Sequence, residues 1–120
     1  MLPHYQLFTA HWTGAKAEVI TFAHASLAAG TALVDISTEF EAVVGVIPDA
    51  MARLHFLWST DPISETRVLI GNIYQYQACV PAKQEALLDL ASRVIGRYRR
   101  TATHIIIAGD WNASLCPRFF

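Results

Sequence analysis

Two apolar strand candidates on either side of a long helix candidate constrain the fold of this chain most. The strand candidates are Arg67 to Tyr74 and Thr103 to Ala108, and each contains three consecutive large aliphatic residues. An unbroken aliphatic run of this kind is typical of a strand that is buried on both faces. Between them, Pro81 suits the first turn of a helix, and apolar residues repeat at helical spacing from there to about residue 99. This order predicts a mixed α/β chain.

The residues before this segment predict further strands. His4 to Trp12 and Glu18 to His24 contain β-branched and aromatic residues around a turn-like stretch, so they predict a hairpin. Glu39 to Ile47 continues the pattern of β-forming residues, and Met51 to Trp58 is interpreted as a strand with two alternating sets of side chains. Because the sequence predicts only one long helix, some elements that cover these strands are expected to lie outside the chain.

Composition limits the classes of function only weakly. The chain has 120 residues, and 53% hydrophobic against 16% charged residues predicts a single folded domain rather than disorder. The formal net charge of −1 gives no basic footprint of the kind that duplex-binding modules carry. Composition therefore neither indicates nor excludes nucleic acid.

The location of the protein is predicted from its start and its cysteines. Met1 to His4 lacks the basic start and apolar run of a signal peptide. Cys79 and Cys116 have no metal-binding spacing, so they are interpreted as free thiols of an intracellular protein. The most apolar stretch, Ala17 to Ile36, is interrupted by charged residues and a glycine, so no membrane helix is expected.

Asp110 and Asn112 follow the second apolar strand directly and are the strongest candidates for chemistry. If the backbone stays extended, both side chains point the same way into one cleft. Phosphodiester hydrolysis needs a base that orients water and fixed donors for the charge that grows on the phosphoryl oxygens, and an Asp and an Asn can fill these roles. The alternative is a plain turn, because Gly, Asp and Asn all favour turns. The tetrapeptide Gly109-Asp110-Trp111-Asn112 alone leaves both interpretations open.

Two motifs and the spacing between them resemble the endonuclease/exonuclease/phosphatase superfamily. The first is Ile70-Gly71-Asn72-Ile73-Tyr74, and the second runs from His104 through Gly109-Asp110-Trp111-Asn112 to Leu115, with the helix candidate between them. Glu18 to Phe22 and Ala52 to Leu57 resemble earlier strands of the family more loosely. The Trp after Asp110 and the Asn-Ile-Tyr-Gln sequence are most similar to the endonuclease domain of non-long-terminal-repeat retrotransposons. The resemblance implies an α/β (α+β) fold, part of a four-layer αββα sandwich.

The resemblance also implies roles for individual residues. Asp110 matches the carboxylate that activates or orients the attacking water, Asn112 the amide that stabilises phosphoryl oxygens, and Tyr74 the phenol that contacts the phosphate. Asn72 matches the strand Asn, on the substrate side of the cleft or in a structural role. Gln77 stands where many relatives have an Asn, so its amide would have to serve as the second group on the phosphate side.

Two parts of the family's active centre have no counterpart in this chain. The metal-binding Glu belongs upstream of the first strand, and the Ser-Asp-His motif belongs downstream of Asp110, where only eight residues follow Asn112. Residues 1–120 are therefore expected to form a partial domain. The cofactor implied is Mg2+, weakly bound or not bound, because Asp110 alone offers too few oxygen ligands.

The function implied is that of a fragment of a Mg2+-dependent phosphodiester hydrolase. Its substrate would be DNA, its activity impaired, and its location the nucleus if it derives from a retrotransposon endonuclease. One alternative is a non-catalytic interaction module that self-associates or binds a partner through exposed sheet edges. Another is a phosphatase that acts on a small phosphorylated molecule, since one fold hosts several activities.

Overall fold

A computed structural model describes residues 4–9 and 19–112 of the chain. Within these residues the chain is mixed α/β, as the sequence predicts, with two sheets and three α-helices. The strands are β1 (Tyr5–Thr9), β2 (Ile20–His24), β3 (Thr31–Leu33), β4 (Leu54–Thr60), β5 (Arg67–Tyr74) and β6 (His104–Asp110). The helices are α1 (Ala25–Ala28), α2 (Ser37–Glu41) and α3 (Pro81–Tyr98), and a short 3-10 helix spans Ala50–Ala52.

The larger sheet has the strand order β3-β4-β5-β6. Strands β3, β4 and β5 pair antiparallel, whereas β5 and β6 are parallel. Parallel neighbours need a crossover connection, and α3 provides it. The strand, helix and strand predicted from the sequence are thus confirmed. The parallel register brings the carboxyl ends of β5 and β6 to the same edge of the sheet, with Tyr74 opposite Asp110.

The hydrophobic core lies between α3 and one face of the larger sheet. The helix begins at Pro81, as predicted, and buries four apolar side chains at helical spacing: Leu87, Leu90, Ala91 and Val94. These pack in one cluster with strand residues that include Phe56, Leu69 and Ile73. Gly71 lies where β5 passes beneath this layer, and a Cβ there would displace neighbouring side chains, because it would lie 2.6 Å from Cε1 of Phe56 and 2.8 Å from Cδ1 of Ile107.

The opposite face of the larger sheet is only partly covered. Strands β1 and β2 form the predicted antiparallel hairpin, although the residues expected to make its turn lie outside the described ranges. The hairpin contacts the sheet through Thr21, which is hydrogen-bonded to both His55 and Asn72. Strand β6 is at the sheet edge, and Ile106 is 53% exposed.

The prediction that both apolar strands are buried on both faces is therefore wrong in part. In β5 only Leu69 of the aliphatic triplet is fully buried, and Val68 and Ile70 are half-buried. In β6, Ile105 and Ile107 are half-buried in the cluster beneath α3, and Ile106 is exposed on the other face. A run of aliphatic residues hides this alternation, because both faces carry the same residue type.

Two upstream strand predictions also need correction. Glu39 to Ile47, expected as a strand, forms the end of α2 and a series of turns. Its buried residues are Val43 and Ile47, four residues apart, so one helical face is buried rather than alternate positions. The segment Met51 to Trp58 enters its strand only at Leu54, after the 3-10 helix. All four residues from Leu54 to Leu57 are buried, because β4 has a strand on each side, α3 on one face and the hairpin near the other.

Cys79 is disulfide-bonded, so the expectation of a free thiol is wrong at this position. Cys116 lies outside the described residues. The intracellular prediction loses the support that it drew from unpaired cysteines, since stable disulfides are rare in reducing compartments. Among the described helices, none combines the length and the apolar character needed to cross a membrane.

Candidate active site

An open cavity of about 220 Å³ lies at the carboxyl ends of β5 and β6. Asn72, Tyr74 and Asp110 all line it, together with apolar residues that include Ile20 from the hairpin. Tyr74 and Asp110 are direct partners in the parallel register, and Asn72 lies two residues before Tyr74 on the same face of the sheet. The structure thus brings together three of the five residues singled out from the sequence.

The Asp110 side chain is both part of a turn and exposed to the cavity, so it fits both interpretations that the sequence leaves open. Its Oδ1 accepts a hydrogen bond of 3.0 Å from the backbone N–H of Asn112, which is the arrangement of an Asx turn. Asp110 is nevertheless exposed and lines the cavity. A carboxylate has two oxygens and about four acceptor positions, so one turn hydrogen bond leaves most of its acceptor capacity available to a ligand.

Asn112 does not follow the predicted geometry. Its φ angle is 46°, in the left-handed region that Asn tolerates better than most residues, so the backbone is not extended here. Its Nδ2 donates a 2.7 Å hydrogen bond to the backbone oxygen of Gln75, and it does not line the cavity. The chain changes direction at the Asx turn. The Asn112 amide therefore hydrogen-bonds to the residue that follows β5 instead of lying beside the Asp110 carboxylate.

Asn72 and Gln77 differ in their relation to the cavity. The Nδ2 group of Asn72 donates to the Ile20 oxygen at 3.1 Å and to Thr21 Oγ1 at 3.0 Å, so both of its donor hydrogens are used on the hairpin. Asn72 therefore joins the two sheets and can offer a ligand only its Oδ1. Gln77 is exposed beyond the end of β5, and it is not among the residues that line the cavity.

His55 and Thr21 are connected to Asn72 by hydrogen bonds. The Nε2 atom of His55 is 2.6 Å from the Oγ1 atom of Thr21, the same hydroxyl that accepts from Asn72. His55 is buried, and its Nδ1 has no hydrogen-bond partner among the described residues. Burial lowers the pKa of His55 from 6.5 to about 4, because removal from water disfavours the charged imidazolium.

This depressed pKa predicts a pH dependence of stability. The unfolded chain protonates His55 below about pH 6.5, whereas the folded chain keeps it neutral down to about pH 4. Between these values the unfolded state binds more protons, so the free energy of unfolding should rise with pH. Urea titrations from pH 4 to pH 7 should show full stability above pH 6.5 and a progressive loss towards pH 4.

The variant His55→Gln provides the control for this slope. Glutamine retains a hydrogen-bonding group for Thr21 but does not titrate, so the loss between pH 6.5 and pH 4 should shrink. Hydrogen bonds hold the pKa values of the Asp35 and Asp61 carboxyl groups below the usual aspartate range, and in Asp49 they do so against the opposing effect of burial, so the contributions of these groups to acid unfolding fall largely below this window. An unchanged slope in the variant would contradict the assignment to His55.

The donor set of the cavity does not fit a resident Mg2+ ion. Among the described residues, no group of three or more His, Cys, Asp or Glu side chains is placed to hold a metal. Asp110 supplies one carboxylate and Asn72 one amide oxygen, whereas Mg2+ requires near-octahedral oxygen coordination that these two side chains cannot complete. Any Mg2+ at this cleft would depend on ligands from a phosphate and from water.

Arg53 is next to the site and was not singled out from the sequence. It lies between the 3-10 helix and β4, and its backbone oxygen accepts a 2.7 Å hydrogen bond from the Tyr74 N–H. Its guanidinium carbon is 4.7 Å from the centre of the Tyr74 ring. The only sequence signal was an Asp at position 49, four residues earlier, which is the spacing of a local ion pair.

Comparison of the chain with protein families, with characterised proteins and with solved structures finds no match. The functional interpretation therefore depends on the residues and their arrangement.

Proposed function

We propose that this chain is a fragment of a phosphodiester hydrolase of the endonuclease/exonuclease/phosphatase type, with DNA as its substrate class and with impaired activity. The observation that carries the proposal is the pairing of Tyr74 with Asp110 across two parallel strands, at the edge of one open cavity. Both residues, from different motifs, line this cavity, although thirty-five residues of sequence separate them.

The layers of the fold support a partial four-layer αββα sandwich. Helix α3 covers one face of the larger sheet, and the hairpin lies against the other, which gives three successive layers. On the face of the hairpin that is opposite to Thr21, four apolar side chains are between 38% and 48% exposed: Tyr5, Leu7, Ile20 and Phe22. An additional helical layer and more strands would bury this face and Ile106, as expected if further elements complete the domain.

The chemistry follows from the acceptor and donor groups in the cleft. Asp110 would orient a water molecule and accept its proton as the water oxygen bonds to phosphorus, while the bond from phosphorus to the leaving oxygen breaks. The Tyr74 hydroxyl would donate to a phosphoryl oxygen. No step is assigned to Mg2+, because the donor set of the cavity does not fit this ion. Apart from Asp110 and Tyr74, the described residues that line this cavity include no acid that could protonate the leaving oxygen. Slow turnover is therefore expected.

The test compares Asp110→Asn with the wild type in hydrolysis of bis(4-nitrophenyl) phosphate and in plasmid nicking with added Mg2+. Loss of the base should lower the slow hydrolysis at least about 100-fold, the lower range for general base catalysis. Asp89→Asn is the matched control, because Asp89 is an exposed carboxylate on α3 whose Oδ2 contacts Arg93 and does not line the cavity. Equal rates for Asp110→Asn and the wild type would refute the proposal, as would wild-type cutting at the rate of a complete enzyme.

A further inference from the structure

The end of β5 is held by the side chain of Arg53. Its Nη1 donates to the backbone oxygen of Tyr74 at 3.2 Å and to that of Gln75 at 3.3 Å. The guanidinium also lies over two aromatic rings, 4.7 Å from the centre of Tyr74 and 4.0 Å from that of Tyr76. Arg53 thus contacts the ring and the backbone of the strand end that carries the proposed phosphate-contacting phenol.

Asp49 fixes Arg53 in this position. The Oδ2 atom of Asp49 is 3.3 Å from Nε of Arg53, and its Oδ1 accepts a hydrogen bond from the Tyr76 hydroxyl. Only 19% of the Arg53 side chain is exposed. A planar guanidinium that contacts two rings, with one nitrogen on a carboxylate and another on two carbonyl oxygens, has little freedom to move.

Gln75 connects this arrangement to the other half of the cleft. Its backbone oxygen accepts from both Arg53 Nη1 and Asn112 Nδ2, the latter at 2.7 Å. Its backbone N–H donates to the backbone oxygen of Asp110 at 2.8 Å. The Gln75 peptide groups therefore contact Arg53 on one side and the Asp110 to Asn112 turn on the other.

We propose that Arg53 is a positioning residue, which sets the placement of Tyr74 and, through Gln75, of Asp110 and Asn112. This inference rests on the proposed function for its catalytic consequence, whereas its structural part can be tested independently. Lysine cannot reproduce the arrangement, because a single ammonium group lacks the planar fork that reaches two carbonyls and a carboxylate together.

The catalytic arm of the test is Arg53→Lys in phosphodiester hydrolysis. Loss of such support for a site typically costs about 10- to 100-fold, so we expect kcat to fall by that factor while KM changes little. Arg93→Lys is the matched control: its Nε is 3.2 Å from Asp89 Oδ2, also four residues apart, but the pair does not line the cavity. This control should retain the wild-type kcat.

The structural arm uses 1H–15N NMR and requires no activity. In Arg53→Lys the cross peaks of the Asn112 side-chain amide and the Gln75 backbone amide should shift, and in Arg93→Lys they should not. If Arg53→Lys does not fold, Asp49→Asn should give the same shifts, because it removes a charged partner of Arg53. Unchanged Asn112 and Gln75 peaks would overturn the positioning inference even if hydrolysis depends on Asp110. Shifted peaks without any Asp110-dependent hydrolysis would support positioning and overturn the proposed function alone.

Discussion

Replacement of Gly109 by alanine is expected to lower the free energy of unfolding by about 4 kcal/mol, the combined scale of a strained backbone and an overpacked contact. The φ angle of Gly109 is +136°, a conformation that residues with a Cβ rarely adopt. An added Cβ would overlap the Ile73 oxygen and would lie 2.8 Å from the Ile73 nitrogen. Both neighbours are backbone atoms of β5, so no side-chain rotation can relieve the contact.

Gly96→Ala is the matched control for this substitution. Gly96 lies in α3, is exposed, and an added Cβ there meets no atom within 4 Å. Alanine at this helical position should raise the free energy of unfolding by about 0.5 to 1 kcal/mol. Urea denaturation measures both variants. Equal and small effects at the two positions would show that β6 does not approach β5 at Gly109 as closely as the structure indicates.

Leu90→Ala is expected to lower the free energy of unfolding by about 3 kcal/mol, within the range for a fully buried leucine. Leu90 has no exposed surface and lies in the cluster between α3 and the larger sheet. Truncation removes its transfer free energy and leaves a cavity, which β5 cannot fill by moving because β4 and β6 pair with it on both sides.

Leu88→Ala separates this packing effect from any change in helix propensity. Leu88 lies on the same helix, two residues earlier, and is 45% exposed. Its truncation should change the free energy of unfolding by about 0.5 kcal/mol or less. Thermal unfolding followed by circular dichroism at 222 nm should give a clearly lower midpoint for Leu90→Ala alone. Similar midpoints for the two variants would contradict the assignment of α3's inner face.

The parts of the fold that local pattern predicts are those with a strong local signal, which is either helical periodicity or a run of β-forming residues. Helix α3 has a proline at its first turn and a long apolar stripe, so its start at Pro81 follows from sequence. The hairpin of β1 and β2 and the existence of β5 and β6 follow in the same way. The segment Glu39 to Ile47 misleads because Val and Ile favour strands, whereas here their spacing buries one side of a series of turns.

In the candidate site, too, some residues were predictable from the sequence and others were not. The residues Tyr74 and Asp110 were found from motifs, and the meeting of two strand ends needed only a crossover helix between them. The direction of the Asn112 side chain depends on the positive φ angle of this residue, which the spacing of residues along the sequence does not predict. Arg53 was missed because its contacts are with backbone oxygens of residues more than twenty positions away.

The sequence by itself determined the hairpin strands, the strand–helix–strand order of β5, α3 and β6, and the candidates Tyr74 and Asp110, because these signals act between residues close together in the chain. Only the tertiary structure decided which faces are buried, since the aliphatic run from Ile105 to Ile107 in β6 does not show which of its two faces is covered. It also decided that Asn112 turns to Gln75 and that Arg53 holds the end of β5. Those contacts join distant segments, and their geometry exists only once the strands and helix have packed.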